Sequence, residues 1–224
     1  FPELLKMLCD TGIERIRFMT SHPKDLSDEL IRVMAENKQI CPHLHLPVQS
    51  GSNEILNRMN RRYTRESYLE KVHKLRAAIP NIGLTTDIIV AFPSETDEQF
   101  NETLELLKEV RYDSAFTFIY SPRKGTLAEN FQGRVSPEIA GKRIERLMQA
   151  QEIITREIFE GIIGSTEKVL VEGVSKRRES QLTGKGLRNI SVNFEGATDL
   201  IGKIVDVEIT GFGSNTLRGK LKGE

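Results

Sequence analysis

Over residues 1–123 the apolar positions alternate between two spacings, short runs with a period of two and longer runs with a period near three and a half. Leu4, Leu5 and Leu8 form a helical face that Gly12 ends. Residues 15–20 read as a strand that leaves through Ser21-His22-Pro23. Ser27 is placed to cap a helix that buries Leu30, Ile31 and Met34. A second strand runs through His43-Leu44-His45-Leu46-Pro47-Val48 and ends in the polar lip Gln49-Ser50-Gly51. Its Leu44, Leu46 and Val48 share one face, and His43, His45 and Gln49 the other. Thr64 caps the next helix, whose face carries Tyr68, Val72 and Leu75 and which Pro80 ends. Residues 83–92 are a third strand, closed by Pro93. Thr96 and Gln99 have capping-box spacing before a helix that buries Phe100, Leu104 and Leu107. Residues 115–120 are a fourth strand, leaving through Ser121-Pro122-Arg123.

Alternating helices and strands imply right-handed βα units around a parallel sheet. The fold class is therefore α/β, a partial parallel (βα) barrel with about four strands present. Pro137 then opens a long helix at its favoured first position. Beyond Gly164 the texture changes to short strands between glycine-rich turns: 168–171, 190–194, 204–209 and 217–221. These predict a small antiparallel β-barrel. Three segments result: 1–135 as the partial barrel, 136–163 as a connecting helix, and 164–224 as the small barrel.

Composition narrows the function classes. Hydrophobic residues make up 38% of the 224 and charged residues 29%, enough apolar content for a sizeable core. No apolar run approaches the roughly 18–20 residues that a membrane span needs. Lys+Arg and Asp+Glu balance at 32 each, so only local patches can argue for nucleic acid. The chain opens on Phe1-Pro2-Glu3, with no initiator Met and no signal-peptide pattern, as expected of a fragment. The two cysteines, Cys9 and Cys41, have no ligand spacing and read as reduced cytosolic thiols.

Catalytic groups of βα barrels sit at the C-terminal strand ends. That rule selects Ser21-His22, Gln49-Ser50-Gly51, 92–95 and 120–123, with Asp87 pointing inward below the third. Asp87 is either a hydrogen-bond hub or a ligand group. His22, His43, His45 and Asp87 allow a metallohydrolase to be drawn, although both strand histidines lie early in their strand. In the small barrel, Lys176, Arg177 and Arg178 form a basic loop that Lys185, Arg188 and Arg218 extend. A basic groove of this kind binds single-stranded nucleic acid. Interleaved acidic residues equally describe a solvated surface.

Five blocks carry a resemblance: 20–24, 41–52, 59–65, 84–90 and 114–123. In this order they resemble the radical SAM methylthiotransferases, nearest to the kind that acts on tRNA, and the C-terminal part resembles their TRAM domain, an OB-like RNA-binding barrel. The resemblance implies addition of a methylthio group to carbon 2 of N6-isopentenyladenosine beside the anticodon. It implies one S-adenosylmethionine (SAM) as methyl donor and a second cleaved at a [4Fe–4S] cluster to a 5′-deoxyadenosyl radical. Gln49 and Ser50 would then face the methionine part, and Asp87, Ile89, Ala91, Phe118 and Tyr120 the rest of the cofactor. Arg123, with Lys176, Arg177, Arg178, Lys185, Arg188 and Arg218, would face RNA.

Two departures from that pattern matter. Ala91 and Ser94 stand where the family has glycines, which bears on the shape of the SAM contact. The CxxxCxxC cluster motif is absent, and Cys9 and Cys41 do not replace it. The expectations are a catalytically inactive fragment with no bound cluster, a cytoplasmic location, tRNA and a reductant as partners, and either a dimer through the open edge at 15–20 or a cover over that edge. The alternatives are an RNA-binding protein without catalysis and the metal-dependent hydrolase.

Overall fold

The computed structural model describes residues 1–19, 22–176 and 180–223. Ser21, Arg177 and Arg178 therefore lie outside the described residues. In chain order the elements are α1 (Pro2–Cys9), α2 (Asp28–Glu36), β1 (His43–His45), α3 (Asn53–Arg58), α4 (Arg65–Ala78), β2 (Gly83–Val90), α5 (Asp97–Val110), β3 (Ser114–Ile119) and α6 (Pro137–Glu160). They continue as β4 (Thr166–Val174), β5 (Gln181–Lys185), β6 (Ser191–Glu195), β7 (Ile204–Phe212) and β8 (Thr216–Leu221). Contacts divide the chain into two compact units, Phe1–Ile40 with Leu44–Ile154, and Thr155–Glu224 with Cys41–His43.

The first unit is built on a sheet of order β1-β2-β3. Beyond β1 the chain stays on β2: Leu46 N–H donates to Thr85 O at 2.8 Å, and Gln49 bridges Ile88 in parallel. The β2–β3 ladder is parallel and sets Asp87 beside Phe116 and Ile89 beside Phe118. Helix starts are fixed by their own caps. Ser27 Oγ accepts from Leu30 N–H at 3.1 Å, and Thr64 and Thr96 each close a capping box. Leu44, Leu46, Val48, Ile88 and Val90 are buried in the core, with Leu75 and Leu107 from the covering helices. A fully buried chain of hydroxyls crosses this core. Tyr112 Oη donates to Tyr68 Oη, which donates to Leu46 O, both at 2.8 Å, and burial pushes both phenols above their usual range.

One expectation fails in this unit, and one element was not foreseen. Among the described residues, 15–19, the strand expected at 15–20 is a single parallel bridge, Ile16 to Ile40. Its neighbour is the turn at 38–39, which offers no extended partner, so the ladder stops at one residue. Among the described residues the sheet has three strands where about four were expected. Helix α3 was hidden by its brevity, since six residues that bury only Ile55 and Leu56 show no period.

The second unit is a closed barrel of order β4-β5-β6-β8-β7. Its core gathers Val169, Val171, Leu182, Val192, Phe194, Val207, Ile209 and Leu217, with Phe159 and Ile162 of its own segment. The barrel is mixed rather than antiparallel, because β6 and β8 pair in parallel. Strand β5 went unrecognised in the sequence. It has one buried large side chain, Leu182, and Gly184 in its interior. That glycine is required: a Cβ there would lie 2.3 Å from Leu170 O. Among the described residues, no helix is long and apolar enough to cross a membrane.

Candidate cofactor and substrate cleft

The C-terminal ends of β1, β2 and β3 open into a cleft of about 730 Å³, lined among others by Gln49, Asp87, Ile89, Phe118, Tyr120 and Arg123. Six sites expected from the sequence are thus brought together. Gln49 owes its place to its backbone. At φ 69° it turns off the strand, while its N–H donates to Asp87 O and its carbonyl accepts from Ile89 N–H, both at 2.9 Å. Its buried side chain lines the cleft.

Ser50 and Ala91 lie elsewhere. Ser50 is fully buried and its Oγ accepts from Ser52 N–H at 3.2 Å, with Thr103 Oγ1 at 3.4 Å. The next residue draws it inward. A Cβ on Gly51 would sit 2.5 Å from Glu102 O, so only glycine lets the lip pack this close to α5. Ala91 has φ 60° and donates its N–H to Glu95 Oε2 at 2.7 Å, without lining the cleft.

The polar floor of the cleft has a support behind it. His45 Nε2 lies 3.5 Å from Asp87 Oδ1, and His45 Nδ1 shares a hydrogen bond with Thr85 Oγ1 at 3.0 Å. The ring also meets Phe116 edge-on at 5.9 Å. One wall is aromatic. Phe92 packs edge-on between Tyr120 at 4.9 Å and Phe131 at 6.0 Å, and the Arg58 guanidinium lies 5.9 Å and 5.6 Å from the Phe92 and Phe131 rings. Arg58, Arg61 and Arg123 bring three cations to this cleft against one carboxylate, Asp87.

Arg58, Phe131 and the turn 126–128 were missed in the sequence. They lie on a short helix and an irregular loop, where no period marks a buried face. Only the block 59–65, quoted above for resemblance, pointed near them.

The histidine constellation is not assembled. His22 Nδ1 accepts from Lys24 N–H at 3.1 Å and its ring meets Tyr63 edge-on at 5.1 Å. Burial, with help from Arg61, lowers its pKa. No group of three or more His, Cys, Asp or Glu able to hold a metal occurs among the described residues. The cysteines do not fit an iron–sulfur cluster either. Both are buried, and burial together with Asp10 raises the Cys9 pKa, opposing the thiolate that a cluster ligand must be. S-adenosylmethionine does fit the cleft. The volume is within the roughly 300–1,000 Å³ of small-molecule sites, and a carboxylate, a buried amide and aromatic faces converge there.

In the second unit the basic residues are dispersed. Lys176 is exposed. Lys185 Nζ is used internally, donating to Ser191 Oγ at 2.8 Å and Asn189 O at 3.3 Å. Arg188 is half-buried in the following turn. Arg218 is exposed on β8 and donates to Phe212 O at 2.8 Å.

Comparison with known proteins gives two family matches. The radical SAM superfamily matches residues 1–107, and the TRAM domain matches residues 162–222. The chain is 51% identical over 222 residues to a tRNA-2-methylthio-N(6)-dimethylallyladenosine synthase of Thermoanaerobacter sp. (strain X514), covering 99% of this chain and 47% of that protein. It is 50% identical over 221 residues to the synthase of the same name from Clostridium botulinum (strain Hall), covering 98% and 49%. The chain thus spans about half the length of the relatives it matches. Among solved structures, coproporphyrinogen III oxidase (HemN) from Escherichia coli, a radical SAM enzyme, aligns with a TM-score of 0.52 at 14% identity, over 96% of this chain and 54% of that one; this likeness shows the fold alone. The chain thus carries a radical SAM part followed by a TRAM domain, in the expected order, and shares half its residues across nearly its whole length with these tRNA-2-methylthio-N(6)-dimethylallyladenosine synthases.

Proposed function

We propose that this chain is the cofactor-cleft and RNA-binding part of an enzyme that adds a methylthio group to carbon 2 of N6-isopentenyladenosine beside the anticodon of tRNA. The observation that carries the reading is the convergence of Gln49, Asp87, Ile89, Phe118 and Tyr120 on one cleft at the strand ends. The names of the half-identical relatives support the substrate class. Residues 1–135 hold the cleft, 136–163 connect, and 164–224 bind RNA. The enzyme works in the cytoplasm with a reductant as partner.

S-adenosylmethionine, when bound, supplies the methyl group and the hydrogen-abstracting chemistry. This chain's residues position it. Gln49 offers a side-chain amide to the methionine part, Asp87 a carboxylate to its ammonium or ribose hydroxyls, and Ile89 and Phe118 an apolar face to adenine. His45 holds the Asp87 carboxylate in place. The apolar wall keeps water from the reacting atoms. No step is assigned to Cys9 or Cys41, and the chain by itself is inactive.

Saturation-transfer NMR of the chain with S-adenosylmethionine tests this assignment. Transfer to the adenine protons is expected, reduced at least fivefold by Phe118→Ala and accompanied by weaker binding in Asp87→Asn. No transfer to wild type would remove the cofactor assignment. Iron–sulfur absorbance and S-adenosylmethionine cleavage after anaerobic reconstitution would overturn the claim of inactivity.

A further inference from the structure

Leu127 stands out on the molecule. It is 84% exposed, the most exposed large apolar side chain among the described residues, and it lines the cleft. It opens a 3-10 turn, Leu127–Asn130, that is tied down at several points. Tyr120 Oη donates to Ala128 O at 2.9 Å, Thr126 Oγ1 donates to Arg123 O at 2.8 Å, and Glu129 Oε2 accepts from Gly125 N–H at 2.8 Å. The backbone is fastened while the leucine is presented to solvent. A mobile loop would let such a side chain fold back onto the apolar wall beside it; this one is held out.

Its surroundings are cationic. Arg61 and Arg123 line the same cleft, and neither is held in an ion pair among the described residues. Lys124 adjoins Arg123 and is exposed. Two uncommitted guanidiniums with an apolar projection between a polar floor and an aromatic wall match one kind of occupant, a nucleic-acid loop. Phosphates take the cations, and an apolar side chain enters between bases. Chemistry on a base atom also requires that the base leave its stack.

We propose that Leu127 is an unstacking wedge. It inserts beside the target adenosine of the bound RNA loop and frees that base to enter the cleft, while Arg61 and Arg123 hold the flanking phosphates. The wedge rests on the tRNA reading above and adds to it the element that delivers the base. Leu127 acts on substrate alone, and its removal leaves the fold untouched because almost none of its surface is buried.

The test uses the chain and an anticodon stem-loop RNA carrying 2-aminopurine in place of the target adenosine. Unstacking raises its fluorescence, so saturation with wild type is expected to brighten it several-fold. Leu127→Ala is expected to at least halve that rise and Leu127→Met to keep it, with circular dichroism and melting temperature unchanged in both. Arg61→Gln and Arg123→Gln are expected to weaken binding several-fold, each lowering the salt slope of log K by about 0.7. A full rise with Leu127→Ala would overturn the wedge and leave the tRNA reading standing. Failure of wild type to bind the RNA at low salt would overturn the tRNA reading and the wedge with it.

Discussion

Arg143 Nη1 donates to Glu95 Oε2 at 2.9 Å with both side chains withdrawn from solvent. The same guanidinium donates to Glu95 O at 3.0 Å and to Asp97 Oδ1 at 2.7 Å, and Glu95 Oε2 also holds Ala91 N–H. One arginine of α6 thereby fastens the loop that leads from β2 to Phe92 and the cleft. Removing one partner strands the other as a buried charge. Arg143→Met is expected to cost about 3–5 kcal/mol in urea denaturation. The double variant Arg143→Met with Glu95→Leu is expected to recover only part of that loss, because it removes the stranded charge but leaves the buried Ala91 N–H without its acceptor.

Ala91 and Ser94 both have φ 60°, where a Cβ is strained. Ala91→Gly is expected to stabilise by up to about 1 kcal/mol, the relief of strain exceeding the entropy of an added glycine. Ser94→Gly gains less, because Ser94 Oγ donates to Gln132 O at 3.2 Å and that bond is lost. Thermal melts of the two single variants read the difference.

Thr103 Oγ1 accepts from Gly51 N–H at 2.9 Å inside the protein. Thr103→Val keeps the shape and leaves that N–H unsatisfied, an expected loss of about 1–3 kcal/mol. Thr103→Ser keeps the acceptor and is expected to lose less. Amide exchange at Gly51 should accelerate in the valine variant and not in the serine one.

His22 is held neutral by burial and by the nearby Arg61, below its ordinary value of 6.5. Between the folded value and 6.5 the unfolded chain binds more protons than the folded one. Stability is therefore expected to fall as the pH drops below 6.5 and to level off beneath the folded value. Protonation of Nδ1 also removes the acceptor for Lys24 N–H. His22→Gln is expected to flatten this stretch of the curve of melting temperature against pH.

Much of this was legible because its signals are local. Ser27, Thr64 and Thr96 cap the helices that their spacing announced, and Gln49 and Tyr120 at strand ends converge with Asp87 just below one, as the barrel rule requires. Signals that depend on distant partners were not legible. Glu95 and Arg143 lie 48 positions apart, and no pattern near either names the other. Ser50 belongs to a polar lip in sequence, yet the close approach of Gly51 to Glu102 turns it inward. Strand β5 failed the alternation test because Gly184 makes room for its neighbour instead of filling the core.

The placement of β8 between β6 and β7 has a consequence for how the small barrel comes into being. All its other strands precede β8 in the chain, so during synthesis β6 and β7 stand with bare edges until residues 216–221 clear the ribosome. The longest-range pairing joins Thr166 of β4 to Glu208 of β7, while the parallel pairing of β6 with β8, Ser191 to Thr216, closes the barrel last, and such non-local pairing is slow. The interval before β8 arrives is when this chain is most exposed to pairing with the wrong neighbour.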